Sequence, residues 1–567
     1  MTKTVEMVIT GAQVLNVETR EFEATSLWID HGRIISNLQD EPYEALEHVD
    51  ARGKWIVPGM IDAHVHMESA MVAPSELGKV LLQHGVTTIV TDPHELANVA
   101  GTAGIEYLIA DARQTPLDVC FMLPSSVPCV PFDDNGATLH AADLRPLYQE
   151  PEVRGLAEVM DYGAVARGDE DTMAKIHDAY ARGYHADGHA AGLDAHQLNV
   201  MRNAGLDTDH ECMTVEEARD RVKAGMTVFL REGTVERDVL ATIGAVTEAN
   251  AGRFAFCTDD KTISDLMTEG SIDYNVRLAI QSGMRPALAY TLASYNGTVA
   301  HRLTDRGRLS AGQLADLVVL DDVTAVKVAK TMKNGQWVTE TTATQPLTFT
   351  ATHVQQHAQL ADFKLPLTTG AANVIGVQPN HIETDHLTMT VAPTENFEAD
   401  IDQDILKMVV VERHHNTGKV GVGLVHGFGL KHGAIAGTVA HDAHNIVAVG
   451  TSDEAIMRVI TQITQDNGGI AVGDEHQVLA TMPLAIGGLL STSTYQVAAV
   501  QLDGLKQAYE VISEQPLSFD PFITLSFLTL PVIPTLKLTA RGLFDYDSFD
   551  FIPVATAATT ESLAASR

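Results

Sequence analysis

The stretch PGMIDAHVHMES, residues 58–69, runs from a Pro-Gly step through a short apolar strand into His64 and His66. Alternate residues of a strand point to the same face, so both imidazoles can reach one metal ion. Neutral imidazole is a good ligand for Zn, Mn, Fe or Ni. An H-x-H pair alone is only a weak indicator of a metal site. The Pro-Gly step before it and Glu68 after it strengthen the metal interpretation.

Around this strand, residues 58–300 repeat a strand-then-helix pattern. Helical stretches such as PSELGKVLLQH, with Pro74 near its start and Gly85 as its stop, follow most of the strands. Eight such units predict an α/β fold with a (β/α)8 TIM-like barrel, which typically takes about 250 residues. A doubly wound open sheet is the alternative, disfavoured because no G-x-G-x-x-G follows a first strand. The predicted strands end near His64, Thr91, Ser125, Met160, His189, His210, Arg231 and Asp259.

Further ligand types stand at the ends of the later barrel strands: Glu158, His189, His210, and Asp259 or Asp260. The catalytic residues of such barrels lie at the carboxyl ends of the strands, where the loops converge. Together with the H-x-H pair, these residues predict two metal sites with a shared bridge. Each histidine taken alone is also compatible with an ordinary hydrogen-bonded loop residue. Their recurrence at five strand-end positions makes coincidence a poor explanation.

Two β-rich segments flank the barrel, residues 1–57 and 301–365, and we expect them to form one composite small β-sandwich. Hairpin turns are predicted at Asp30–Gly32 and at Asn334–Gly335. In residues 366–567 the regular strand-then-helix pattern is replaced by strand-like runs and a helix candidate, which predict an additional C-terminal α+β domain. Its clearest helix follows Ser452 as N-cap and stops at Gly468.

Composition excludes several classes of function. The chain has 567 residues with 38 Lys+Arg against 74 Asp+Glu, a formal net charge of −36. This acidic excess argues against nucleic acid and against an anionic membrane surface as partners. The sequence has no window of about 20 apolar residues, so no membrane-spanning helix is predicted. Four cysteines without a C-x-x-C pair fit a reducing cytoplasm, so we expect a cytoplasmic protein. We also expect a homo-oligomer, taken as a dimer.

The motifs resemble those of the amidohydrolase superfamily, through PGMIDAHVHMES, the later single histidines and the terminal TDD. They resemble its bacterial adenine deaminase family more closely. This likeness extends nearly over the whole chain, including a C-terminal segment that other amidohydrolases lack. The stretches that carry it are TIVTDPHELANV (88–99), LAEVMDYGAV (156–165), DGHAAGL (187–193), TDHECMT (208–214), FCTDDK (256–261) and GLVHGFGLKHGAIAGTVAHDAHNIVAVGTSD (423–453).

The resemblance implies a ligand set and a reaction. One metal ion would be held by His64, His66 and Asp259, the other by His189 and His210, with Glu158 as the bridge in place of a carboxylated lysine. The family implies a binuclear divalent centre of Mn2+ or Fe2+, with Zn2+ as an alternative. The small-molecule substrate would be the purine base adenine. A metal-activated hydroxide would attack C6 and release hypoxanthine and ammonia, a purine salvage reaction.

Other residues are implied around this centre. Asp259 would take the proton from water, and Glu68, Asp260 and Glu232 are alternative acids for N1 or the amine. Asp92 and His94 would shape the purine pocket, or Asp92 could be the N-cap of the helix that follows. His441, Asp442 and His444 of the HDAHN segment (441–445) would close over the barrel mouth and contact the base, or form a plain polar turn. Arg231 and Glu232, which end the seventh strand, could form a buried ion pair or contact the substrate; we expect the ion pair.

Other functions remain open at this point. Another amidohydrolase could hydrolyse a cyclic amide or an N-acetyl sugar, and a metal-free scaffold could use the same barrel. The zinc deaminases that carry H-x-E and P-C-x-x-C are excluded. His66-Met67-Glu68 matches the first motif, but Cys129 is followed by Val-Pro-Phe.

Overall fold

The computed structural model describes residues 3–339, 345–516 and 518–556. At its centre lies a ring of parallel strands whose residues are almost all buried, as the near-continuous apolar runs in the sequence require. Each strand ends within two residues of its predicted end. The eight strands are Met60–Val65, Val86–Thr91, Asp118–Leu123, Val153–Val159, His185–Gly188, Thr208–Asp209, Thr227–Arg231 and Phe254–Cys257.

The ring is a closed barrel. Its first five strands pair in chain order in one sheet and its last three in another. Val65 and Asp259 form a parallel bridge that joins the first strand to the last. Between the fifth and sixth strands, the backbone N–H of Gly188 donates to Oγ1 of Thr208 at 3.2 Å. The predicted (β/α)8 barrel is therefore confirmed.

Helices follow the barrel strands and cover the outside of the ring. The helix Pro74–Gln83 begins at the predicted proline, and the chain leaves it through Gly85 at φ +80°. At the helix Val215–Lys223, Thr214 accepts from the backbone N–H of Glu217 in a capping box. The helices of this region are Pro74–Gln83, His94–Ala100, Thr102–Ala112, Ala141–Leu144, Tyr162–Arg167, Glu170–Ala181, Ala195–Ala204, Val215–Lys223, Val239–Thr242, Ile263–Thr268, Ile272–Gln281, Pro286–Thr291 and Gly297–Ala300.

The two flanking β segments lie in one sheet beside the barrel. The strand Leu317–Asp322 runs antiparallel to Trp55–Pro58, which leads directly into the first barrel strand. Both predicted hairpins are present, with Asp30 opposite Arg33 and Lys333 opposite Gln336. The strands of this sheet are Lys3–Asn16, Glu21–Asp30, Arg33–Ser36, Tyr43–Asp50, Trp55–Pro58, Leu317–Asp322, Lys327–Lys333 and Gln336–Trp337.

An additional C-terminal domain with a ten-stranded mixed sheet follows, as expected. Ser452 caps the helix Asp453–Gln465 by accepting from the backbone N–H of Ala455 at 3.3 Å. The other helices are Tyr495–Ser513 and Pro521–Phe527. The strands of the large sheet are Ala371–Val377, Thr384–Thr390, Ala399–Asp400, Ile405–Val411, Val420–His426, Ala434–Gly437, Ile446–Gly450, Gly469–Gly473, Val478–Pro483 and Ala555–Thr556; a small sheet contains Leu536–Thr539, Gly542–Asp545 and Asp550–Phe551.

The exact limits of the three predicted domains stay a proposal, and residues 557–567 of the last one lie outside the described residues. In the part of the chain that the structure describes, no helix combines the length and the apolar content needed to cross a bilayer.

Candidate metal centre

The first barrel strand delivers two imidazoles to the barrel mouth. His64 and His66 are both buried, and their Nε2 atoms lie 3.3 Å apart. Asp259 follows the last strand, and two backbone hydrogen bonds hold it against the first strand. Its N–H donates to the carbonyl oxygen of His64, and its carbonyl oxygen accepts from the N–H of His66. Its Oδ1 lies 3.4 Å from Nε2 of His64 and 3.1 Å from Nε2 of His66. These three side chains therefore converge on one point.

Glu158, near the end of the fourth strand, spans two groups of histidines. Its Oε1 lies 3.2 Å from Nε2 of His66. Its Oε2 lies 2.7 Å from Nδ1 of His189 and 3.3 Å from Nε2 of His210. One carboxylate thus faces the first trio with one oxygen and the second pair with the other.

The donor set fits a pair of divalent cations. Ligands bonded at about 2.0–2.2 Å in a tetrahedral site lie about 3.3–3.6 Å from one another, and the spacings here are close to that. Imidazole nitrogens and carboxylate oxygens suit first-row divalent metals. Burial raises the pKa of Asp259 and of Glu158, but the neighbouring histidines outweigh it and hold both pKa values well below their usual range. Both carboxyl groups are therefore ionised, as ligands must be.

Arg231, at the end of the seventh strand, forms the expected buried ion pair, but its partners differ from the adjacent Glu232. Its Nη1 donates to Oδ2 of Asp259 at 3.0 Å and also to Glu211. Its Nε donates to Oδ2 of Asp238 at 3.0 Å. The guanidinium therefore fixes the second oxygen of Asp259 while the first faces the histidines.

Asp92 and His94 are linked to each other. Oδ2 of Asp92 lies 2.9 Å from Nδ1 of His94, and that same nitrogen lies 3.7 Å from Oε1 of Glu158. The alternative of Asp92 as an N-cap is wrong. The helix begins at His94 with Pro93 in the cap position, and no side chain caps it. His94 lines the cavity at the barrel mouth, whereas Asp92 lies behind it.

The C-terminal domain covers that cavity. His441 and Asp442 line it, as do the apolar side chains of Ile382, Phe527, Leu530 and Ile533 from the same domain. His444 is also fully buried but does not line the cavity. Of the three HDAHN residues expected at the substrate, the structure therefore brings two to the cavity wall and places the third behind them.

The three candidate acids are placed differently. Asp260 lines the cavity and accepts from the hydroxyl of Ser69, and burial raises its pKa. Glu68 accepts from the backbone N–H of Leu96 at 3.2 Å and lies outside the cavity lining. Glu232 accepts from the backbone N–H of Val239 at 3.2 Å and also lies outside it. Geometry therefore favours Asp260.

Three cavity-lining carboxyl groups were not predicted: Glu95, Glu211 and Glu236. Glu95 directly follows His94 and Glu211 directly follows His210, so both are sequence neighbours of predicted site residues. Glu236 lies in the loop after the seventh strand, and no local pattern marks it. Burial raises the pKa of Glu236 well above its usual range, and Asp260 adds to the shift.

Comparison with known proteins agrees with this architecture. The amidohydrolase family model matches residues 55–338, and the model of the adenine deaminase C-terminal domain matches residues 381–550. An adenine deaminase of Lactiplantibacillus plantarum is 85% identical over 98% of either chain. Those of Listeria welshimeri and Leuconostoc citreum are 51% and 48% identical, over 97% and 98% of this chain and 96% and 100% of their own. The chain therefore belongs to the adenine deaminase family of the amidohydrolases.

Proposed function

We propose that this chain converts adenine and water into hypoxanthine and ammonia at the barrel mouth. The observation that carries the proposal is that a two-part ligand set, bridged by the two oxygens of Glu158, lies under a C-terminal domain of the adenine deaminase type. A role in purine salvage follows from the product. The other amidohydrolase reactions offer no comparable reason for this covering domain.

The proposed ligands are the six residues predicted above. His64, His66 and Asp259 would hold one divalent ion, His189 and His210 the other, and Glu158 would bridge them. We propose Mn2+ or Fe2+, with Zn2+ as the alternative. A bound metal pair supplies Lewis acidity that makes water a nucleophile at neutral pH.

The residues of the chain handle the protons. Asp259, ionised and oriented by Arg231, accepts the proton that water loses as oxygen adds to C6. It returns this proton to the amino group as the C6–N bond breaks, so that ammonia leaves. An acid donates a proton to N1 as oxygen adds to C6, and it takes back the second water proton from the C6 hydroxyl as the carbonyl forms. We place Asp260 as the acid at N1, because it alone of the three candidates lines the cavity.

The apolar wall from the C-terminal domain excludes bulk water from this reaction. Ile382, Leu530 and Ile533 face the polar barrel mouth across the cavity. A dry cavity strengthens the electrostatic interactions on which the proton transfers depend. His94 from the barrel and Asp442 from the C-terminal domain add polar groups to the cavity lining and are proposed to contact the base.

The test is a substrate comparison with purified protein loaded separately with Mn2+, Fe2+ or Zn2+. We expect ammonia and hypoxanthine from adenine, and no turnover of a hydantoin or of an N-acetyl sugar. Hydrolysis of either of those without adenine deamination would refute the proposal. Cytoplasmic location and a homodimer stay predictions; light scattering of the purified chain tests the second.

A further inference from the structure

Glu95, His441 and His444 form a buried triad between the barrel and the C-terminal domain. Glu95 belongs to the helix His94–Ala100, and the two histidines lie between the strands Ala434–Gly437 and Ile446–Gly450. Oε1 of Glu95 lies 2.7 Å from Nδ1 of His441, and Oε2 contacts Nε2 of His444. All three are at most 2% exposed, and none belongs to the proposed metal ligands.

The hydrogen bonds of His444 assign its proton. The backbone N–H of Ala440 donates to Nδ1 of His444 at 3.2 Å, so this nitrogen has no proton. Nε2 therefore carries it, and this nitrogen contacts Oε2 of Glu95. A metal ion at Nε2 would need the lone pair that this proton occupies, so the three side chains are not a third metal site despite their composition. The guanidinium of Arg413 donates to the carbonyl oxygens of His444 and Gly487 and so fixes the backbone at His444.

His441 is held from one side and free on the other. Burial raises the pKa of Glu95, but the nearby histidines outweigh it and keep this pKa well below its usual range, so the carboxylate accepts from Nδ1 of His441. The imidazole stacks on Phe527 with ring centroids 4.2 Å apart. Its Nε2 has no hydrogen-bond partner among the described residues, although the side chain is 2% exposed and lines the cavity.

The other cavity histidine outside the ligand set is already engaged. Nδ1 of His94 pairs with Asp92 at 2.9 Å, and its Nε2 lies 3.4 Å from Glu95 and 3.7 Å from Asp442. A buried polar nitrogen without a hydrogen-bond partner destabilises the folded protein unless a ligand supplies that partner. His441 is therefore the better placed of the two to hydrogen-bond a bound base.

We propose that Nε2 of His441 hydrogen-bonds a ring nitrogen of the purine, and that Glu95, fixed by His444, is the positioning residue that orients it. The proposal rests on the proposed deaminase function. A carboxylate on one ring nitrogen of a histidine fixes the orientation of the ring and favours its doubly protonated form. Burial lowers the pKa of His441, but Glu95, with Asp260 and Asp442, outweighs it and raises the pKa to about 9. At neutral pH, Nε2 therefore bears a proton that a ring nitrogen of adenine can accept.

The test compares H441N, H441Q and E95Q in the metal-loaded enzyme. The Asn amide can still donate to Glu95 but does not reach the cavity, whereas the Gln amide reaches the position of Nε2. We expect H441N to raise the KM for adenine about tenfold or more, with a smaller change in kcat and an unchanged metal content. H441Q should recover part of this loss. The matched control is H426N, since His426 lies in the same domain and bonds only backbone carbonyls through Nδ1.

A double-mutant cycle tests the role of Glu95. If Glu95 acts through His441, E95Q raises KM in the wild-type background and adds nothing to H441N. Additive effects, an unchanged KM in H441N, or metal loss in H441N would each overturn the proposal. A third metal equivalent in the wild-type enzyme that E95Q removes would overturn it as well. Should H441N not fold, E95Q must by itself raise KM with its metal content retained. A wild-type enzyme that does not deaminate adenine would instead refute the proposed function.

Discussion

Oε2 of Glu158 lies 2.7 Å from Nδ1 of His189, while the other oxygen of the same carboxylate turns towards the first barrel strand. A strand-end glutamate thus reaches two clusters whose members come from four other strands. Because parallel strands of a barrel end at one rim, residues far apart in the chain can share one carboxylate.

Replacing Glu158 by Gln tests this bridge. The neutral amide has only one oxygen, so it cannot serve both groups of histidines with anionic ligands. We expect E158Q to lose at least one metal equivalent and to lower kcat by about a thousandfold, measured by elemental analysis and ammonia release. E216Q, at an exposed position, is the control. Full activity with normal metal content in E158Q would remove Glu158 as the bridge.

Metal removal tests the centre as a whole. Dialysis against a chelator should abolish adenine deamination, and two equivalents of a divalent ion per chain should restore it. Since ions that bind only the folded state stabilise it, the metal-free protein should unfold at a lower temperature; saturation at 100 times Kd contributes about 2.7 kcal/mol. Add-back of Mn2+, Fe2+ and Zn2+ in separate samples ranks the metals. Deamination that survives complete removal would rule out metal chemistry here.

The strands and their ends were predictable because local patterns encode them. A buried parallel strand is an apolar run, and the polar residue that follows it must lie at the rim, so His64, Glu158 and His210 could be placed together from sequence. Ser452 was also predictable as an N-cap, since capping depends on a local contact: its hydroxyl accepts from a backbone N–H three residues further along the chain.

Contacts between domains were not predictable in this way. Glu95 meets His441 only because the C-terminal domain docks on the barrel mouth, and no periodic pattern records that docking. The alternative of Asp92 as an N-cap is wrong because its carboxylate contacts Nδ1 of His94 instead of the helix N-terminus. Glu236 was missed because it lies in a loop, where position follows from tertiary contacts.

Replacing Arg231 by Met tests the buried ion network. The change leaves Glu211, Asp238 and Asp259 without their shared cation, and removing one partner of a buried ion pair costs about 3–5 kcal/mol. We expect a clear fall in thermal stability and in metal affinity. R541M is the matched control, since Arg541 pairs with Asp134 at the surface, where such pairs contribute about 0–1 kcal/mol. Equal effects of the two changes would contradict a structural role for Arg231.

Lys537, which is not among the proposed metal ligands, predicts a pH dependence of stability. It is fully buried, its Nζ donates to the carbonyl oxygen of Ile382 at 2.7 Å, and burial lowers its pKa to about 7. The unfolded chain keeps a lysine pKa of about 10.4. Between these values the unfolded state binds more protons, so this group makes the folded state more stable as pH rises, by up to about 1.4 kcal/mol per pH unit. Its destabilising effect is complete below pH 7 and vanishes above the unfolded pKa.

The substitution K537M removes this titration and isolates it from all others. Thermal unfolding of wild type and K537M at several pH values between 7 and 10 gives the difference in stability at each one. We expect the stability of the wild type, relative to that of K537M, to increase steadily as the pH rises. The exposed Lys431 supplies the control K431M, for which the difference from wild type should stay flat. A flat difference for K537M as well would mean that Lys537 keeps its ordinary pKa in the folded protein, with its charge accommodated in the core beside Ile382.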